Sequence, residues 1–220
     1  GLGSPVLLYL AAAGVGELGI VDGDVVEESN LQRQVVHAQA DLGRAKVDSA
    51  AEAVRALNPV VRIHTWHARM APDNAAAIID GYDVVVDALD TIEARLWLND
   101  ACVAAAVPMV HGAATAWSGQ AMTVVPGSGG PCYRCLFGGV SDDGLGPLAP
   151  ARAGVLSSVP GVIGSIQATE VLKLLLGKGD LLIGRLLVFD ALRMKFDEVR
   201  VLADPACLCC GGGDHRHPEV

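Results

Sequence analysis

Six cysteines carry the spacing that most strongly indicates chemistry in this sequence. Cys132 and Cys135 form one CxxC pair in "CYRC", and Cys207 and Cys210 form a second pair with the same spacing in "CLCC". Four thiolates are a complete tetrahedral ligand set for Zn²⁺ and leave no open coordination position. The two pairs therefore predict a structural zinc site that pins the C-terminal segment to the body of the fold.

The other two cysteines have weaker assignments. Cys209 is left over if Cys207 and Cys210 are the ligands, although an exchange of roles between Cys209 and Cys210 stays open. Cys102 lies in the helical stretch "NDACVAAA", which favours a place in the hydrophobic core.

A polar segment, "DGDVVEESNLQRQ" (22–34), directly follows the apolar run 18–21. Asp22 stands about twenty residues after the glycine turn of Gly1 and Gly3, and this spacing favours a nucleotide, with phosphate at a helix N-terminus and ribose on the carboxylate. A glycine turn that merely packs against a strand explains these residues about equally well.

Two cations and one acid complete the predicted nucleotide site. Arg33 and Lys46 can neutralise a triphosphate, although taken alone they are more typical of solvated surface charges. Asp90 follows the apolar strand in "DVVVDALD" and is a candidate Mg²⁺ ligand, with an N-cap of the helix beginning near Ile92 as the alternative. Arg95 and Asn99 are four residues apart and therefore share one face of the predicted helix. They either give polar support to this site or are merely solvated.

Predicted elements bring these residues to one edge of a sheet. Strand patterns alternate with Ala- and Leu-rich helical patterns through the first half, which predicts a parallel sheet covered by helices. The second half predicts antiparallel or mixed additions to that sheet. The predicted strands are "ELGIVD", "VRIHTW", "DVVVDA", "PMVHGA", "RLLVFDAL" and "FDEVRVL", and the last long helix is "GVIGSIQATEVLKLLLG".

Composition narrows the functional classes. A chain of 220 residues with 51% hydrophobic residues predicts one domain, 1–210, followed by a flexible tail, 211–220. A net charge of -9 and a pI near 5.0 argue against nucleic acid as a partner. Apolar runs are too short to predict a membrane span, so we expect a soluble, cytoplasmic protein.

Several motifs together resemble one family, the MoeB/ThiF adenylyltransferases, which are relatives of ubiquitin-activating enzymes. The motifs are the opening 37 residues, "GRAKVDSA", "LNP", "YDVVVDALD", "PCYRCLF" and "GVIGSIQATEVLK". The resemblance implies a Rossmann-like α/β fold: a mostly parallel sheet with helices on both faces, extended by C-terminal antiparallel strands and a four-cysteine zinc site. It also implies ATP, Mg²⁺ and Zn²⁺ as cofactors.

The function implied by the resemblance is adenylation of the C-terminal glycine of a ubiquitin-like sulfur-carrier protein, with release of pyrophosphate, for molybdopterin or thiamine synthesis. The carrier ends in Gly-Gly, and the enzyme is a homodimer in which each site receives an arginine from the partner's N-terminal segment. Catalytic roles map onto Arg33, Lys46 and Asp90. The implied ATP contacts are Gly1, Asp22, Ser29, Asn30, Leu31, Gln32, Arg33, Lys46, Asp90 and Thr91. The implied zinc ligands are Cys132, Cys135, Cys207 and Cys210. The implied magnesium ligand is Asp90.

Three departures from the family pattern bear on this function. Only the end of the family's glycine turn is present, so the strand expected before it is not in the sequence. Thr91 stands where the family has Asn, and a hydroxyl there can still bond a phosphate. The loop before the "GVIG" helix has Pro150 near the place of a family cysteine, so we expect no covalent intermediate on that loop.

Two other functions explain part of the same pattern. A NAD-dependent oxidoreductase would account for the glycines and Asp22, but not for Arg33, Lys46, Asp90 or the cysteines. A non-catalytic scaffold of the same fold would account for every motif and would bind a carrier protein without forming AMP.

Adenylation itself needs no general base, because a terminal carboxylate with a pKa of about 3.5 is ionised at neutral pH.

Overall fold

A computed structural model describes residues 1–140 and 154–211 of the chain. Helical and strand elements alternate up to the strand Met109–Thr115, as the sequence predicts for the first half. The α-helices, in chain order, are α1 (Gly3–Ala13), α2 (Glu28–Leu31), α3 (Lys46–Leu57), α4 (Ala75–Ile79), α5 (Ile92–Ala104), α6 (Tyr133–Phe137) and α7 (Ser158–Leu176), with a 3-10 helix at Gln39–Asp41. The strands are β1 (Glu17–Val21), β2 (Arg62–Trp66), β3 (Val85–Asp87), β4 (Met109–Thr115), β5 (Ser118–Val124), β6 (Arg185–Asp190) and β7 (Lys195–Arg200).

The strands form two sheets. β1 pairs with β2 in parallel, and β3 begins a five-stranded sheet in the order β3-β4-β5-β6-β7. β3 and β4 are parallel, whereas β4 to β7 pair in antiparallel fashion. This confirms the predicted α/β fold with parallel strands first and antiparallel strands added in the second half.

The two parallel pairs are separate in hydrogen bonding but share one core. No ladder joins β1 to β3 among the described residues. Leu18 of β1 and Val110 of β4 nevertheless belong to one buried cluster, against which Val84 and Val86 pack. Apolar packing therefore holds the two sheets together, and the strand predicted to precede Gly1 stays a prediction.

α7 is the central helix of the second half. Gln167 is fully buried and donates from Nε2 to the carbonyl oxygens of Asp87 (2.7 Å) and Val110 (3.1 Å), so it bridges β3 and β4. A Cβ on Gly112 would clash with the side-chain amide of Gln167, which explains the glycine there. The helix ends at Gly177, which adopts the left-handed conformation with φ 59°.

α7 is also the one helix in the described part of the chain whose length and apolar composition would suit a membrane span. Val159, Ile163, Ala168 and Val171 lie buried in the core. Packing in a protein core accounts for the same composition.

Some predictions fall on residues outside the described ranges. The loop containing Pro150 lies within 141–153, and the predicted tail lies mostly within 212–220. The predicted domain boundary at 210 also stays a prediction.

Candidate nucleotide and metal sites

The acids after β1 are held in a tight turn at the carboxyl end of the strand. The backbone N–H of Asp22 donates to the carbonyl of Trp66 in the neighbouring strand at 3.2 Å. Oδ1 of Asp22 accepts the backbone N–H of Asp24 at 2.9 Å. The turn therefore presents two carboxylates side by side, whereas the sequence pattern predicts a role only for Asp22.

Lys46 is the cation fixed against this turn. It is the first residue of α3, and its backbone N–H donates to the carbonyl of Asp24 at 3.0 Å. Its Nζ lies 3.1 Å from Oδ2 of Asp24 and 3.8 Å from Oδ2 of Asp22, with only 8% of the residue exposed. The hydrogen bond from Lys46 lowers the pKa of Asp24 below its ordinary value of 3.8, against the opposing effect of burial. Lys46 is therefore not a solvated surface charge.

A polar cavity of about 420 Å³ opens beside these charges. Its lining residues are Gly23, Asp24, Val25, Glu27, Asn30, Lys46 and Arg69. Arg69 was not predicted from the sequence, although it follows β2, whose carboxyl end lies beside that of β1. Nη2 of Arg69 lies 2.7 Å from Oδ1 of Asp24, so Asp24 is shared between two cations.

The segment 27–34 supplies the wall next to Lys46. Asn30 is buried, and its Oδ1 accepts the backbone N–H of Glu27 at 3.3 Å, which caps α2. Nη1 of Arg33 donates to the carbonyl of Ser29 at 3.0 Å. Of the other two predicted contacts, Leu31 is half-buried and Gln32 is exposed.

Gly1 lies against Arg33, as a nucleotide turn beside a cation would require. A Cβ on Gly1 would meet Cδ of Arg33 at 3.9 Å. Gly1 therefore lies on the Arg33 side of the predicted site.

Asp90 and Thr91 lie between β3 and α5. Thr91 is the N-cap of α5, because its Oγ1 accepts the backbone N–H of Ala94 at 3.3 Å. The capping alternative for Asp90 is therefore wrong. Asp90 is exposed at the carboxyl end of β3, where its carboxylate can accept a metal ion.

Arg95 and Asn99 support two different sites. Both are buried, so they are not solvated residues. Nη2 of Arg95 donates to the carbonyl of Leu89, next to Asp90. Oδ1 of Asn99 accepts the backbone N–H of Tyr133 at 2.8 Å, next to the first cysteine pair.

The four predicted ligand cysteines converge. Sulfur atoms of Cys132 and Cys135 are 3.9 Å apart, those of Cys132 and Cys207 are 3.7 Å apart, and those of Cys135 and Cys210 are 3.4 Å apart. All four sulfur atoms lie within 4.8 Å of one another. A tetrahedral ion with metal–sulfur bonds of about 2.3 Å needs sulfur atoms about 3.8 Å apart, so the set fits such an ion.

Cys209 lies next to this cluster but outside it. Nδ2 of Asn99 lies 3.4 Å from the Cys209 sulfur. The hydrogen bond from Cys209 is the largest of the effects that lower the pKa of the Cys132 thiol, to about 4. The geometry selects Cys210 rather than Cys209 as the fourth member of the cluster, and Cys102 is fully buried in the core as predicted.

Comparison with known sequences gives one family. The sequence model of the ThiF family matches residues 1–209. A SAMP-activating enzyme E1 from Haloferax volcanii is 51% identical over 213 residues, which cover 97% of this chain and 78% of that protein. A sulfur carrier protein adenylyltransferase from Thermus thermophilus is 45% identical over 215 residues, which cover 96% of this chain and 79% of that protein.

Several other relatives are longer, and the chain spans about half of their length. Among solved structures, E. coli MccB with ATP superposes with a TM-score of 0.83 at 23% identity and covers 96% of this chain and 64% of that one. At this identity the likeness is one of fold.

Proposed function

Because the chain belongs to the ThiF family, we propose that it is an ATP-dependent adenylyltransferase that activates the C-terminal glycine carboxylate of a ubiquitin-like sulfur-carrier protein. The observation that carries this proposal is Lys46, a buried cation held beside Asp22 and Asp24 in a polar cavity at the end of β1. The names of the two relatives at 51% and 45% identity describe the same class of activity.

The roles of the side chains follow from their charge and place. Asp22 accepts hydrogen bonds from the ribose hydroxyls, because it follows β1 at the edge where open α/β sheets bind ligands. Lys46 and Arg33 neutralise the phosphates. Backbone N–H groups near Gly1 approach the phosphates at the start of α1. Of the remaining predicted contacts, Asn30 lines the cavity, and we propose Ser29, Leu31, Gln32 and Thr91 as further contacts around the nucleotide.

The reaction needs positioning and charge stabilisation rather than proton transfer. One oxygen of the carrier's terminal carboxylate attacks the α-phosphorus of ATP and forms a carboxyl–phosphate bond. The bond from the α-phosphorus to the bridging oxygen breaks, and pyrophosphate leaves with the electron pair. Lys46 and Arg33 lower the barrier because both anions must be held together while negative charge moves to the leaving group.

Two metal ions have matching donors in the chain. Mg²⁺, when bound, neutralises phosphate charge, and the carboxylate of Asp90 is the group that would hold it. Zn²⁺ fits the four sulfur atoms of Cys132, Cys135, Cys207 and Cys210, which form a closed structural set.

A protein partner is supported by an exposed apolar surface on the β6–β7 hairpin. Leu192 is 69% exposed, Met194 is 76% exposed and Val199 is 50% exposed. Exposed apolar side chains grouped on one surface are typical of protein interaction sites. The carrier as partner is supported by the names of the relatives; a homodimer, a cytoplasmic location and a role in molybdopterin or thiamine synthesis are further parts of the proposal.

ATP–pyrophosphate exchange tests the proposed function. We expect exchange that depends on a carrier ending in Gly-Gly, and a loss of about 10²-fold or more in Lys46→Ala and Asp90→Ala, the size of effect seen when one transition-state contact is removed. Lys178→Ala, which removes an exposed lysine after α7, is the matched control and should exchange normally. ATP–pyrophosphate exchange that is unchanged in both site variants would contradict these roles. Carrier binding without any exchange activity would favour the non-catalytic scaffold. Binding of NAD rather than ATP would favour the oxidoreductase.

A further inference from the structure

Beneath the loop that carries Asp90 lie three buried side chains that can carry charge. Asp87 and His111 are completely buried, and Arg95 is 4% exposed. A buried charge is costly unless it is paired, so a cluster of this kind needs a specific set of contacts.

Asp87 is held on both of its carboxylate oxygens. Oδ1 accepts the backbone N–H of Leu89 at 3.0 Å. Oδ2 accepts a hydrogen bond from Nδ1 of His111 at 2.6 Å, and the two residues are directly opposite each other in the β3–β4 ladder. Asp87 therefore ties the start of the loop to the neighbouring strand.

Arg95 binds the carbonyl oxygen of Leu89, the residue whose N–H is bound by Asp87. Its Nη2 donates to the carbonyl oxygen of Leu89, and its Nε lies 3.6 Å from Oδ2 of Asp87. The N–H of Leu89 is bound by Asp87 and its C=O by Arg95, so the residue directly before Asp90 is fixed at both backbone polar atoms. The carbonyl that Arg95 holds belongs to the peptide bond that leads into Asp90.

His111 is held in place by contacts on both sides of its ring. Its ring packs against Tyr133, with centroids 4.7 Å apart, and its Nε2 lies 3.5 Å from Nε2 of Gln120. Burial lowers the pKa of His111, against the effect of Asp87, which favours the neutral ring. The neutral tautomer that satisfies both contacts has its proton on Nδ1, donated to Asp87, and accepts at Nε2.

We propose that Asp87, Arg95 and His111 are positioning residues that clamp the Leu89–Asp90 peptide, and so hold the Asp90 carboxylate where it binds the divalent cation of the nucleotide complex. The proposal rests on the proposed function, since it assigns a purpose to the loop that carries Asp90. Mg²⁺ demands near-ideal ligand geometry, so a ligand on a short loop needs such support.

Binding of Mn²⁺ with a non-hydrolysable ATP analogue, measured by electron paramagnetic resonance, tests the clamp without requiring turnover. We expect Arg95→Met to weaken Mn²⁺ binding about tenfold, the factor that one charge-assisted hydrogen bond carries. Arg95→Lys, which keeps the charge and a donor, should recover part of this loss. Arg55→Met, at an exposed arginine of α3, is the matched control and should bind like the wild type.

Hydrogen–deuterium exchange gives a second readout. Amides of 88–91 should exchange faster in Arg95→Met, whereas those of β4 and α7 should not change. Because Arg95→Met leaves Asp87 short of one cation, the double variant Asp87→Asn/Arg95→Met serves if the single variant fails to fold, and it should show the same two effects.

The outcomes separate the clamp from the proposed function. Wild-type Mn²⁺ affinity and unchanged exchange of 88–91 in a folded Arg95 variant would overturn the clamp, especially if Asp90→Asn weakens binding in the same assay. If the wild-type protein binds the Mn²⁺–nucleotide complex but does not catalyse ATP–pyrophosphate exchange, the proposed function is contradicted. The Mn²⁺ affinities of the variants then still decide for or against the clamp. A wild-type protein that does not bind the complex would contradict both.

Discussion

The thiol cluster and the nucleotide cavity are built on opposite principles. In the cluster, four identical donors from two segments 75 residues apart lie with neighbouring sulfur atoms 3.4 to 3.9 Å apart. In the cavity, opposite charges already satisfy one another: Asp24 is bound by both Lys46 and Arg69, and Arg33 is bound by a backbone carbonyl. The cluster gathers like groups at a spacing that suits one metal ion, whereas the cavity pairs groups of opposite charge.

This difference predicts different responses to mutation. Loss of one thiol should remove the ion and the structure that depends on it, because ion binding is part of the folding free energy. Loss of one charge in the cavity should leave the fold intact and change the affinity for a ligand, because the remaining groups are solvated or paired elsewhere.

The largest expected effect is that of Cys135→Ser. We expect the zinc content of the purified protein to fall to near zero and its free energy of unfolding to fall by several kcal/mol, since a closed four-sulfur site loses most of its affinity with one ligand. Atomic emission and thermal unfolding measure the two quantities.

Cys209→Ser is the matched control for that experiment. Its sulfur lies outside the cluster, so zinc content should stay at that of the wild type. Loss of zinc in Cys209→Ser, with retention in Cys210→Ser, would show that the two neighbouring cysteines exchange roles and would contradict the ligand set drawn from the geometry.

An intermediate effect is expected for Lys46→Met. Affinity for ATP should fall by about one to two orders of magnitude, the range for one charge-assisted hydrogen bond, while the thermal unfolding midpoint changes little. Isothermal titration calorimetry measures the affinity. Arg44→Met removes a cation two positions away that pairs with Asp41 and Glu52 instead, so equal losses in the two variants would indicate a general charge effect and contradict a specific role for Lys46.

The smallest effect is expected in the titration of Asp24. Its pKa is lowered in the folded protein, so its contribution to stability is present above the ordinary value of 3.8 and is lost as the pH falls through the folded value. In Lys46→Met the pKa should rise, because the hydrogen bond from Lys46 is the largest cause of the shift. NMR titration of the carboxyl carbon measures it; Arg69→Met should cause a smaller rise, and the reverse order would contradict the assignment.

Sequence patterns identified the features that depend on local spacing. The six predicted strands fall where alternation and apolar runs placed them, and the CxxC pairs converge, whereas β5 was not predicted as a strand. The family resemblance is confirmed by the match over residues 1–209. The assignment of the nucleotide contacts stays a prediction.

Features that depend on which strand ends meet could not be predicted in this way. Arg69 reaches Asp24 only because β2 lies beside β1, and the use of Arg95 depends on the exact path of the loop around Leu89. The capping of α5 by Thr91 rather than Asp90 depends on a one-residue difference in where the helix begins. Periodicity predicts an element well, but its terminal residues only within a residue or two.

A crystal structure of the protein with Mg²⁺ and a non-hydrolysable ATP analogue tests the central claim most directly. We expect the ribose hydroxyls on Asp22, the phosphates between Arg33 and Lys46, and the metal ion on Asp90. A nucleotide bound elsewhere, or one bound in this cavity without contact to Lys46 and Asp90, would contradict the account.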